Sequence, residues 1–137
     1  MSLADLRTGL RAELATDLGI EMLDGMIDAP AGIPRRDLGC VWIAGYGEMD
    51  DRVQTQVIDV RVRIYKQKVE RRSVEQAVDP QPLEDLAERA ELALRDKQAA
   101  QYGVWYFRIR RTEIDLESQG IEIELTAWRT NPFTAGG

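Results

Sequence analysis

The chain predicts an α+β fold: a four-stranded, mainly antiparallel sheet with two helices packed on one face, in the order α-β-β-α-β-β. The first observation behind this is the run from Gln56 to Lys68, in which Ile58, Val60, Val62 and Ile64 share one parity and Asp59, Arg61, Arg63 and Tyr65 the other. A period of two marks a strand with one core face and one wet face. The second is a pair of amphipathic stretches, one on each side of that run, able to cover the core face. The third is size and composition: 137 residues, 44% hydrophobic and 31% charged, suit one ordinary globular core. A single domain over residues 1–130 and a flexible tail over 131–137 are expected.

Taken in order, Ser2 is suited to cap a helix, with Asp5 completing a capping box, and Leu3, Leu6, Leu10, Leu14 and Leu18 recur every three or four residues up to Gly19. From Ile20 to Asp37 the pattern dissolves, with Pro30 and Pro34 inside it, and a loop is expected. Leu38 to Ala44 is short, apolar and rich in strand formers. Gly45 to Arg52 reads as a flexible acidic connection into the central strand. If extended throughout, Val53 to Val69 would span about 55 Å, so an overhang beyond the domain is expected. After a polar stretch, Asp79-Pro80-Gln81-Pro82 starts a second helix running to about Lys97, with Leu83, Leu86, Ala87, Ala90, Ala93 and Leu94 as its stripe.

Val104 to Arg111 supplies the next strand, with Trp105, Phe107 and Ile109 on one face and Tyr106, Arg108 and Arg110 on the other. Beyond it Ile114 and Leu116 fall on the other parity, which predicts a bulge near Arg111. Gln119-Gly120 turns the chain into a last strand, where Ile121, Ile123, Leu125 and Ala127 alternate with Glu122, Glu124, Thr126 and Trp128. Opposite charges favour adjacent strands. The acidic last strand therefore belongs between the strand of Arg61 and Arg63 and the strand of Arg108 and Arg110, giving the sheet order 1-2-4-3.

Composition excludes much chemistry. The chain has no histidine and one cysteine, Cys40, so an intrachain disulfide, a cysteine cluster for zinc and a histidine-activated nucleophile are all ruled out. No cofactor, metal or catalytic residue is expected. The net charge of -6 opposes nucleic-acid binding by the surface as a whole. No signal-like start or membrane-length apolar run is visible, and a soluble protein of a reducing cytoplasm is expected. Glu48, Asp50 and Asp51 lack the spacing of a calcium loop, and Gly45-Tyr46-Gly47 is too short for a dinucleotide fingerprint, so a solvated turn explains both better. Cys40, within an apolar strand, reads as an inert core thiol.

One feature stands above that background. Tyr65, Tyr106 and Trp128 fall on the polar parity of three strands placed side by side, rimmed by Arg61, Arg63, Arg108, Arg110, Glu122 and Glu124. Large aromatics among arginines have the composition of a protein interface.

The order of elements, the length, the Asp79-Pro80 start of the second helix and the closing strands ending in Trp128-Arg129-Thr130 together resemble the tail terminator proteins of long-tailed bacteriophages, over roughly Leu3 to Thr130. The resemblance implies a structural virion protein at the tail neck, assembled in the host cytoplasm. It implies a ring, expected to be hexameric, that caps the tail tube, stops its polymerisation and meets the head-tail connector, while DNA passes through unbound. Subunit contacts would use the aromatic and charged residues just named. Tube or connector contacts would use the loop of Tyr46, Glu48, Met49, Asp50, Asp51 and Arg52. Two alternatives stay open: a neck or head-closure protein of the same assembly, and a small dimeric α+β ligand-binding protein with an apolar pocket between sheet and helices.

Overall fold

A computed structural model describes residues 2–27, 36–49, 52–67, 77–95 and 106–133, apart from the side chains of Met49, Arg52, Val53 and Tyr106. Among the described residues the fold is α+β, with two helices and a five-stranded mixed sheet. The elements are α1 (Leu3–Leu18), β1 (Glu21–Asp24), β2 (Leu38–Met49), β3 (Arg52–Tyr65), α2 (Gln81–Arg95), β4 (Tyr106–Asp115) and β5 (Gly120–Thr130). Across the sheet the order is β1-β2-β3-β5-β4. The four expected strands thus stand in the expected sequence, with the acidic β5 between the basic β3 and β4.

Helix α1 starts and stops where local chemistry dictates. Ser2 accepts from the Asp5 amide while the Asp5 carboxylate accepts from the Ser2 amide, and Gly19 closes the helix in the left-handed region at φ 66°. Its leucines at positions 6, 10, 14 and 18 are buried. In α2 the Asp79 carboxylate accepts from the Gln81 amide, and Leu83, Leu86, Ala87, Ala90 and Leu94 are buried. Both helices share one core with the even-numbered residues of β3 from Ile58 to Ile64 and the odd-numbered residues of β5 from Ile121 to Ala127, all 0–1% exposed. Each fully buried Leu or Ile of this layer contributes roughly 1.5–3 kcal/mol of hydrophobic stabilisation.

Three expectations need correction. The segment from Ile20 to Asp37, expected as loop, contains the short strand β1, which pairs parallel with β2 from Glu21↔Leu38 to Asp24↔Val41. The sheet is therefore five-stranded and mixed. Four residues without clear alternation carry no local strand signal; they pair because β2 offers an unsatisfied edge. Close approach there uses Gly39, where a Cβ would run into the Met22 sulfur and come within 3.2 Å of the Arg63 carbonyl.

The second correction concerns Gly45 to Arg52, which is not a flexible connection. Residues through Met49 continue β2, and β3 begins at Arg52, so the two strands form one hairpin with irregular register at Ile43/Gly45 and Glu48/Met49. Third, the central strand stops at Tyr65, with Lys68 and Val69 outside the described residues, and the overhang is at its start: β5 flanks Thr55 to Tyr65, and Arg52–Gln54 run past it. Even there the Asn131 amide donates to the Gln54 carbonyl at 2.7 Å.

The expected bulge is present, between Ile109 and Arg111. It restores Thr112 and Ile114 to the side opposite Ile123 and Ile121, the core face. Asn131, within the segment expected as tail, is 2% exposed. The last four positions, and Val104 and Trp105, lie outside the described residues.

Candidate functional site

The face of the sheet away from the helices carries the polar parity of each strand, and the register decides who meets whom. Arg61 stands opposite Glu124, Arg63 opposite Glu122, and Trp42 opposite Arg61. Arg61 donates through Nε and Nη2 to the Asp59 carboxylate at 3.0 and 3.1 Å and through Nη1 to Glu124 at 3.0 Å, with Glu122 at 3.6 Å. Arg63 donates through Nε and Nη2 to Glu122 at 3.0 and 2.6 Å, and through Nη1 to the Ile27 carbonyl at 2.8 Å. Its guanidinium also lies 4.9 Å from the Trp42 ring centroid, a cation–π contact.

Electrostatically the ladder is self-satisfied. The hydrogen bond with Asp59 holds the Arg61 pKa above its ordinary value, against partial desolvation. Burial works against charge on Arg63, but the hydrogen bond with Glu122 and the neighbouring negative charges outweigh it. The four side chains of Arg61, Arg63, Glu122 and Glu124 are 21–25% exposed and already paired with one another. Separating them to contact another protein would cost hydrogen bonds already made.

The aromatic set does not form one patch. Tyr65 is on this face but only 4% exposed, packed over Gly120, where a Cβ would approach its ring to 2.9 Å. Trp128 stands at the other end of β5, opposite Val57 on one side and Tyr106 on the other. The register brings Tyr106 and Trp128 together and leaves Tyr65 apart; the Tyr106 side chain lies outside the described residues. Of the hairpin positions, Tyr46 is 56% exposed and Glu48 accepts from the Asn131 side chain at 3.3 Å, while Asp50 and Asp51 lie outside the described residues.

Beside Trp128 the face opens into a groove of about 650 Å³, lined among others by Gly45, Gly47, Val57, Asp59, Arg108, Arg110 and Thr126. Gly45 and Gly47 stand opposite Asp59 and Val57, so two positions without side chains occupy the same face and leave the space empty. Arg108 and Arg110 are exposed, and no described carboxylate lies within ion-pair distance of either. Asp59 is already engaged by Arg61, so the groove presents positive charge on an otherwise acidic chain.

Sequence reasoning placed Arg108, Arg110 and Trp128 on the correct face but read Gly45-Tyr46-Gly47 as a turn and overlooked the groove. The available signal was the Gly-x-Gly spacing itself, which within a strand clears one face. Trp42 carries no such signal, because it stands in the short apolar run from Leu38 to Ala44.

Cys40 is fully buried, and its thiol accepts from the Ile27 amide at 3.4 Å. Burial pushes its pKa up from the ordinary value of 9.0. Among the described residues no cluster of three metal-ligating side chains occurs, and no helix is long and apolar enough to cross a membrane.

No protein-family model matches the chain, and no curated protein is similar to it in sequence.

Proposed function

We propose that the chain is a structural subunit of a long-tailed bacteriophage, a tail terminator whose ring caps the tail tube, ends its polymerisation and joins it to the head-side connector. The observation that carries this reading is the asymmetry of the two layers: helices cover one face of the sheet, and among the described residues the other face carries no helix and holds a basic groove beside a tryptophan. Two unlike faces suit head-to-tail contacts, which close into rings when the rotation between neighbours allows it. The β2–β3 hairpin, of 12 and 14 residues, gives such a ring an element to reach a tube or connector, with Tyr46 exposed along it. The net charge of -6 suits a channel through which DNA slides without sticking. On this reading the chain performs no catalysis, its partners are its own copies, the tail tube protein and the connector, and its place is the virion neck.

Light scattering coupled to size exclusion, with and without polymerised tail tube, tests the proposal. Hexamers captured at tube ends, with tube length arrested, are the expected result. A concentration-independent dimer that ignores tubes would overturn it. A neck protein of the same assembly would form rings that bind the connector and leave tube growth unaffected.

A further inference from the structure

We propose that the groove on the open sheet face receives helix α2 of a second copy of the chain, in a head-to-tail contact. The inference deepens the ring reading by naming the two surfaces that meet.

Charge and spacing carry it. Helix α2 turns Leu83, Leu86, Ala90 and Leu94 into the core, which leaves Glu84, Asp85 and Glu88 exposed on its outer side with Leu92, 62% exposed, one turn further on. No described cation pairs with those three carboxylates, whereas the neighbouring Glu91 is paired with Arg95 at 3.3 Å. Glu84 and Glu88 are four residues apart on a helix, a rise of about 6 Å. Arg108 and Arg110 both line the groove two residues apart on β4; Arg110 is the extra residue of the bulge, so their spacing is comparable to, but shorter than, the rise of about 6.5 Å of a regular strand. The carboxylates can therefore meet the guanidiniums one for one while Leu92 reaches the apolar part of the groove around Trp128 and Val57.

Within one chain the two surfaces cannot meet, because α2 packs on the core face and the groove lies on the opposite face. The contact is heterologous: each copy offers its groove to one neighbour and its helix to the other. That geometry yields rings or filaments and not a closed two-fold dimer.

Charge reversal tests this with the full chain, by light scattering coupled to size exclusion. Arg108→Glu/Arg110→Glu and Glu84→Arg/Glu88→Arg should each weaken self-association at least about tenfold, through like charges brought face to face. An equimolar mixture of the two variants should reassemble, since each groove then finds an oppositely charged helix. The chain carrying all four reversals should assemble alone, which also shows that the substitutions leave it folded. Variants that assemble like the parent would place the contact elsewhere and leave the ring reading intact. Loss of assembly without rescue in either combination, with native circular dichroism, would overturn the inference, and so would a parent chain that stays monomeric. A parent that assembles, shows the rescue and yet ignores tail tubes would keep this contact and remove the terminator reading.

Discussion

Replacing Arg61 by methionine keeps most of the side-chain volume and removes the charge from the middle of the polar ladder. Arg61 makes three hydrogen bonds of 3.0–3.1 Å to Asp59 and Glu124 and lies 3.6 Å from Glu122, with its side chain 25% exposed. Exposed ion pairs contribute about 0–1 kcal/mol, and breaking a fully buried one costs about 3–5 kcal/mol. A site three-quarters buried with two partner carboxylates falls between these, at about 2 kcal/mol. For a domain of this size that lowers the melting temperature by roughly 8 °C. Most of the loss comes from the three carboxylates left near one another, of which Glu122 keeps its bond to Arg63. It should therefore shrink in 1 M salt, where the screening length drops to about 3 Å. Urea unfolding at low and high salt measures this directly, and a double-mutant cycle with Glu124→Gln isolates the pair at about 1 kcal/mol of coupling. A loss below about 0.5 kcal/mol that ignores salt would refute the reasoning and make the ladder a row of independently solvated charges.

Four further outcomes follow from burial and close packing. Thr112 lies on the core face with its hydroxyl buried and without a hydrogen-bond partner, so Thr112→Val should stabilise the fold by about 1 kcal/mol in urea unfolding; a destabilised variant would show that the hydroxyl has a partner. Gly39→Ala should cost about 1–3 kcal/mol by displacing Met22, with hydrogen exchange fastest in Glu21–Asp24; unchanged exchange there would mean that β1 does not depend on this approach. Cys40 should resist thiol reagents at pH 8 in the folded chain and react once it is unfolded in urea. Because its folded pKa is raised, the unfolded chain loses the proton first. Stability should hold below pH 9.0 and fall as pH rises beyond it, and a pH-independent midpoint across that window in the parent relative to Cys40→Ala would contradict the assignment.

What the sequence by itself determined is whatever repeats locally. Alternation at positions 58–64 and 121–127 named the core face, three-and-four spacing named the helical stripes, and Ser2, Asp5 and Gly19 set the ends of α1 through bonds within one turn. The parity change after Ile109 announced the bulge, and the strand order agrees with the charge argument, although the Arg–Glu ladder forms on the β3 side of β5 and Arg108 and Arg110 meet no described carboxylate on the β4 side. Tertiary structure alone decided features that depend on residues far apart in the chain. Strand β1 exists because β2 needed an edge partner; Tyr65 is buried because Gly120 leaves room beneath its ring. The ladder turned expected interface residues into each other's partners, and the groove exists because register set two glycines of β2 beside Arg108, Arg110 and Trp128. Periodicity reports which way a side chain points. Pairing register, whose energy is gained only when distant strands meet, reports what it finds there.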